Sequence, residues 1–134
     1  MRRLMCAVAL TFAAACSSAP DTAGLQESFG QQLAANRFIS EFQKSGDDFT
    51  FTGPSPEGGG PAKWRVHIDS AAIDPQDDEK QPYKGTVKST WLADGKSIEI
   101  TGDQSNLPIE LLSNGLSQVC WAFWDPAAMR WSWE

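Results

Sequence analysis

Arg65, His67 and Asp69 stand two residues apart, alternating with Trp64, Val66 and Ile68. Period-two alternation marks a half-buried strand and puts the three polar side chains on one face. An imidazole beside a carboxylate is the pairing of general base catalysis, in which the carboxylate holds the ring in one tautomer. His67 and Asp69 are therefore the candidate base and orienter, flanked by Arg65. Spacing places no serine or cysteine nucleophile beside them, and the wet face of a strand commonly carries such residues. The solvated-face reading is preferred over the catalytic one.

Other chemistry-bearing residues point to less. Asp74, Asp77, Asp78 and Glu79 offer oxygens, but the glycine and ligand spacing of a calcium loop is absent. A single histidine, with no cysteine but Cys120 free once Cys6 and Cys16 are accounted for below, makes no zinc ligand set. No metal and no cofactor are expected. Gly58-Gly59-Gly60 has no following Lys-Ser/Thr and reads as a loop tip. Cys120 has no basic neighbour to activate it and reads as a small apolar spacer. Val119, Trp121 and Phe123 alternate in a final strand, opposite Arg130, Ser132 and Glu134. Either a short helix carrying Leu107, Leu111 and Leu112 covers this aromatic stripe, the preferred expectation, or the stripe is exposed and Trp121 and Phe123 form a binding surface.

The first residues set the address. Arg2 and Arg3 precede a short apolar run from Leu4 to Ala14, broken only by Thr11, and small residues follow. That is the layout of a secretory signal, with an apolar part too short for a permanent span. The stretch Ala13-Ala14-Ala15-Cys16 resembles the cleavage box of bacterial lipoprotein precursors, with Ala13 where that family prefers Leu. The resemblance implies a signal peptide over 1–15, cleavage before Cys16, a lipid on the Cys16 sulfur, and a tether over 16–24. Ser17 after the cysteine implies the outer membrane, periplasmic side, in a host with two membranes. An ordinary signal cut after Ala15 or Ala19 is the alternative.

With residues 1–15 removed, nine basic and seventeen acidic residues leave a net charge of −8. An acidic balance argues against nucleic acid and against direct adhesion to anionic lipid. The expected partners are the membrane, through the lipid, and a protein of the envelope. A small membrane barrel is rejected, because its strands would turn Lys and Glu to lipid.

The elements that must position these residues follow from periodicity. Leu25, Phe29 and Leu33, then Ala35, Phe38, Ile39 and Phe42, predict one long helix over 25–44, closed by Ser45-Gly46. Phe49 and Phe51 alternate with threonines, the Trp64 strand follows a Pro/Gly-rich break, and "DPQDDEKQP" (74–82) is an acidic loop. Asp94-Gly95 predicts a two-residue hairpin turn with Ala93 opposite Lys96, Trp91 opposite Ile98 and Ser89 opposite Ile100. A closing hairpin with a loop at 125–128 would set Trp124 against Met129, Ala122 against Trp131 and Cys120 against Trp133. Residues 25–134 thus read as a single α+β domain, one long helix on a twisted antiparallel sheet of five to six strands. In element order it is similar to the cystatin-like and nuclear-transport-factor-like folds, without a motif of either. A β-sandwich or barrel with one helix is the alternative.

The function expected is that of a lipid-anchored envelope module binding a protein or small apolar ligand. The alternatives are a small hydrolase or isomerase using His67 and Asp69, and a structural accessory of an envelope assembly.

Overall fold

The computed structural model describes residues 19–134. The expected signal peptide over 1–15 and the expected lipidation site Cys16 lie outside them. Helix α1 (Thr22–Ala34) is followed by strands β1 (Ser40–Ser45), β2 (Asp48–Pro54), β3 (Pro61–Pro75), β4 (Tyr83–Ala93), β5 (Lys96–Ser97), β6 (Ile100–Thr101) and β7 (Gln104–Ser105). A short α2 (Ile109–Leu112) then leads into β8 (Val119–Asp125) and β9 (Arg130–Trp133). The main antiparallel sheet runs β9-β8-β4-β3-β2-β1, with β5 paired to β4, and β6-β7 stands apart as a two-residue ladder. The sheet curls into a half-barrel. Its inner face carries Phe49, Phe51, Trp64, Val66, Val87, Trp91 and Ala122, all buried.

The α+β expectation is corrected. Among the described residues 48% are strand and 15% helix, and they form no long N-terminal helix. Asp21 caps α1 by accepting from Gly24 N at 2.8 Å, but the helix stops at Ala34 rather than continuing to residue 44. The buried Asn36 ends it: its Nδ2 donates to Glu110 O at 2.9 Å and its Oδ1 accepts from Phe38 N at 2.8 Å. The side chain thereby competes with the helical ladder. Ile39 just before β1 and Phe42 within it, three residues apart as on a helix, instead pack half-buried against the core. A bulge between Ser40 and Gln43, with Glu41 at φ 57°, supplies the extra residue.

Helix α1 lies inside the curl. Leu25, Phe29 and Leu33 are fully buried against the sheet, and two glycines set how closely they approach. A Cβ on Gly30 would fall 2.6 Å from the Phe49 ring, and one on Gly85 2.7 Å from Leu25. The segment 105–118 closes the rest of the inner face, burying Leu107, Leu111 and Leu116. It is held there by hydrogen bonds from Ser105 to Gln118 and from Gln118 to Ile98 O.

The Asp94-Gly95 hairpin has the expected register, Ala93 against Lys96, and Ile98 N donates to Trp91 O. The chain then leaves the sheet. Ile100 pairs with Ser105 instead of Ser89 and is 43% exposed, while Ser89 N donates to Gln118 O and β8 takes over the edge of β4. The closing hairpin differs too. Met129 takes φ 54°, the loop is 126–129, and the pairs are Ala122 with Trp133 and Trp124 with Trp131. A shift of two preserves the faces, so Trp131 is still buried, but Cys120 no longer lies opposite Trp133.

Candidate functional site

The outer face of the sheet carries Arg65, His67 and Asp69, while Asp77, Asp78 and Glu79 lie in the loop between β3 and β4. Register sets Asp48 of β2 and Thr90 of β4 on either side of His67 in β3. His67 Nδ1 donates to Asp48 Oδ1 at 2.6 Å, and Arg65 Nη1 donates to Asp48 Oδ2 at 2.6 Å. The partner that sequence spacing proposed is farther away: His67 Nε2 lies 3.9 Å from Asp69 Oδ1, beyond hydrogen-bond reach. A bulge between Ile68 and Ser70 lifts Asp69 out of the ladder, and its Oδ2 accepts from Thr90 Oγ1 at 2.7 Å. His67 and Asp69 are nearly half-exposed, at 47% and 46%. The arrangement is a polar chain on an open sheet face, with the Asp48 carboxylate clamped between the His67 imidazole and the Arg65 guanidinium.

Beside it lies an open depression of about 920 Å³ lined by Glu41, Thr50, Thr52, Lys63 and Arg65. Its charges are already engaged. Glu41 accepts from Thr52 at 2.7 Å and from Lys63 at 3.2 Å, which holds its carboxyl below the usual range. Neither His67 nor Asp69 lines it. Among the described residues no cluster of three His, Cys, Asp or Glu is placed to hold a metal ion. Cys120 is buried, and desolvation pushes its thiol up to about 11, so it is unreactive near neutrality.

The electrostatics have a pH signature. The hydrogen bond to Asp48 raises the His67 pKa above 6.5, aided by the charges of Asp48, Asp69 and Asp47. The bonds from His67 and then Arg65 lower that of Asp48 below 3.8. A raised histidine contributes stability that is complete below pH 6.5 and fades as pH rises through its folded value. A lowered aspartate contributes above pH 3.8 and fades as pH falls through its folded value. The two effects overlap in mildly acidic solution. The unfolding free energy from urea titration is expected to be slightly higher at pH 5 than at pH 8, by less than about 1 kcal/mol because both groups are solvated. His67→Gln is expected to flatten that difference, and an unchanged pH profile in the variant would assign it elsewhere.

The aromatic stripe is the second feature of this face. The expected cover is absent, because Leu107 and Leu111 turn into the core on the opposite side of the sheet. Trp121 is left 43% exposed, with Phe123 and Val119 half-buried beside it. Lys84 Nζ sits 5.4 Å from the centre of the Trp121 ring, a cation–π distance. Lys84 stands across from Phe123 and Lys88 across from Val119, so two ammonium groups border the stripe. Spacing on β8 revealed Trp121 and Phe123. Asp48, Thr90 and Lys84 reach their places through strand pairing, and only the register could have found them. Set against family models, curated proteins and solved structures, the chain matches none.

Proposed function

We propose that this chain is a lipid-anchored cell-envelope module that docks a protein partner on the outer face of its half-barrel, around Trp121 and Phe123. The observation that carries the reading is the indole of Trp121 on the lysine-bordered outer face, 43% exposed. A large amphipathic ring held on a rigid strand suits a binding anchor, since little side-chain entropy is lost when it is covered. The hydrolase alternative has less support, because His67 faces solvent and its nearest carboxylate neutralises Arg65 as well. The lipid anchor rests on the Ala13-Ala14-Ala15-Cys16 box. Its proposed place is the outer membrane's periplasmic side in a host with two membranes, from Ser17 after the cysteine.

The test uses the full chain in its own envelope, with a photo-crosslinking residue at Thr86, beside Trp121 in the sheet. A discrete cross-linked product is expected, reduced about tenfold or more by Trp121→Ala. No product, or equal product from both chains, would remove the stripe from the proposal. Cys16→Ala is expected to move the protein to the soluble fraction. A variant unchanged in fractionation and mass would remove the lipid.

A further inference from the structure

Among the described residues the half-barrel has two edge strands left unpaired on one side, and they are built differently. The β1 edge is bulged at Glu41 and carries the exposed Lys44, both devices that discourage strand addition. The β9 edge is regular. Its inner partner β8 bonds to β4 through Cys120 and Ala122, the alternation fixed by the Ser89 N to Gln118 O bond, and to β9 through Trp121 and Phe123, as the Glu134 N to Trp121 O bond requires. By the same alternation Ser132 and Glu134 face β8, and the backbone N–H and C=O groups of Trp131 and Trp133 point off the sheet. A groove of about 470 Å³ runs along this edge, walled by Ser28, Gln31 and Gln32 of α1. Trp131, which lines it, is 7% exposed, and its indole Nε1 is buried with no hydrogen-bond partner among the described residues.

We infer that the β9 edge pairs antiparallel with the β9 edge of a second copy, joining two half-barrels across a two-fold axis at Ser132. The sequence of the edge is complementary to itself in that register. Arg130 falls opposite Glu134 of the copy and Glu134 opposite its Arg130, both on the outer face. Ser132 meets Ser132, and each Trp131 meets a Trp133. The outward backbone groups of Trp131 and Trp133 are then the hydrogen-bonded pairs of the new ladder. Opposite charges directly across a ladder stabilise it and like charges oppose it, so register and partner are set together. The α1 walls that approach across the axis present Ser28, Gln31 and Gln32, uncharged groups able to bond one another. The contact is isologous, so it closes at two copies and propagates no further.

The full chain, purified, is expected to sediment as a dimer at about 100 µM, the affinity range of a short polar contact. Arg130→Glu and Glu134→Arg, each alone, turn both cross-axis pairs repulsive and are expected to weaken the dimer about tenfold or more. Mixing the two variants restores both pairs, so the mixture is expected to dimerise where each alone does not, and the double variant R130E/E134R likewise. Melting curves matching wild type show that the variants fold. As an independent measure, Ser132→Cys brings two thiols to a non-hydrogen-bonded pair with Cα atoms about 4.5 Å apart, close enough for a disulfide on oxidation. A monomeric wild type at that concentration overturns the inference, as does a folded pair of variants whose mixture stays monomeric. Capture of a different protein's strand at Ser132→Cys, with no homodimer, also overturns it.

Discussion

Trp91→Ala is expected to cost about 3–5 kcal/mol of unfolding free energy, a large part of the roughly 5–15 kcal/mol that a small domain possesses. The indole is fully buried near the C-terminal end of β4. It stands edge-on to Trp64 at 6.1 Å and to Phe51 at 6.3 Å between ring centroids, and its Nε1 donates to Ser89 Oγ at 2.9 Å. Alanine removes the ring from both aromatic contacts and strips Ser89 of a donor. The neighbouring strands are locked in register on either side, so the space cannot close by collapse. Ser89→Ala, which loses the hydrogen bond but keeps the ring, is expected to cost only about 1 kcal/mol. Urea unfolding followed by circular dichroism separates the two. A Trp91→Ala curve overlapping that of Ser89→Ala would mean that the aromatic cluster is not what supports the curl.

Gly85→Val is expected to be nearly as damaging, about 3 kcal/mol, by the opposite mechanism of overfilling. A Cβ there would stand 2.7 and 2.8 Å from the two Leu25 methyls and 3.2 Å from the Trp131 ring. The backbone cannot retreat, since Gly85 is paired to Ile73 on one side and Ala122 on the other. The contact predicts non-additivity. Leu25→Ala alone opens a cavity and costs about 2–5 kcal/mol. Adding Gly85→Ala to it refills part of that space, so the double variant is expected to be more stable than the two single effects combined would allow. Simple additivity in calorimetric melting would mean that α1 does not rest on Gly85.

These two positions were not equally visible in the sequence. Alternation placed Trp64, Val66 and Trp91 on a buried face without help from the fold. Gly85 gave no signal, because its role depends on a helix that arrives from sixty residues earlier in the chain. The helix itself was overextended for a physical reason. A bulge adds one residue to a period of two, so Ile39 and Phe42 acquire the three-residue spacing of a helix. Asn36 was the available stop signal. Residue parity survived where register did not: the final hairpin slipped by two through the left-handed turn at Met129, yet kept Trp131 inside. At the site, the shared face of Arg65 and His67 was legible. Asp48, the carboxylate they share, was not, since the Ser55–Gly60 connection carries no turn motif that fixes how β2 meets β3. Had that connection been read as a hairpin with Phe51 against Trp64, Asp48 would have fallen opposite His67.

The placement of α1 has a consequence for how the molecule comes into being. Ser28 accepts a hydrogen bond from the Trp133 indole, 105 residues farther along, and Phe29 meets that ring edge-on. The first described element is thus among the last to find its seat, for want of the hairpin that flanks it. Until the segment around Trp133 is in place, the apolar side of α1 lacks part of its shelter, and a chain lacking it stays loose and open to chaperones. Slow acquisition of structure is written into this topology, because ends so distant must meet before the core is sealed.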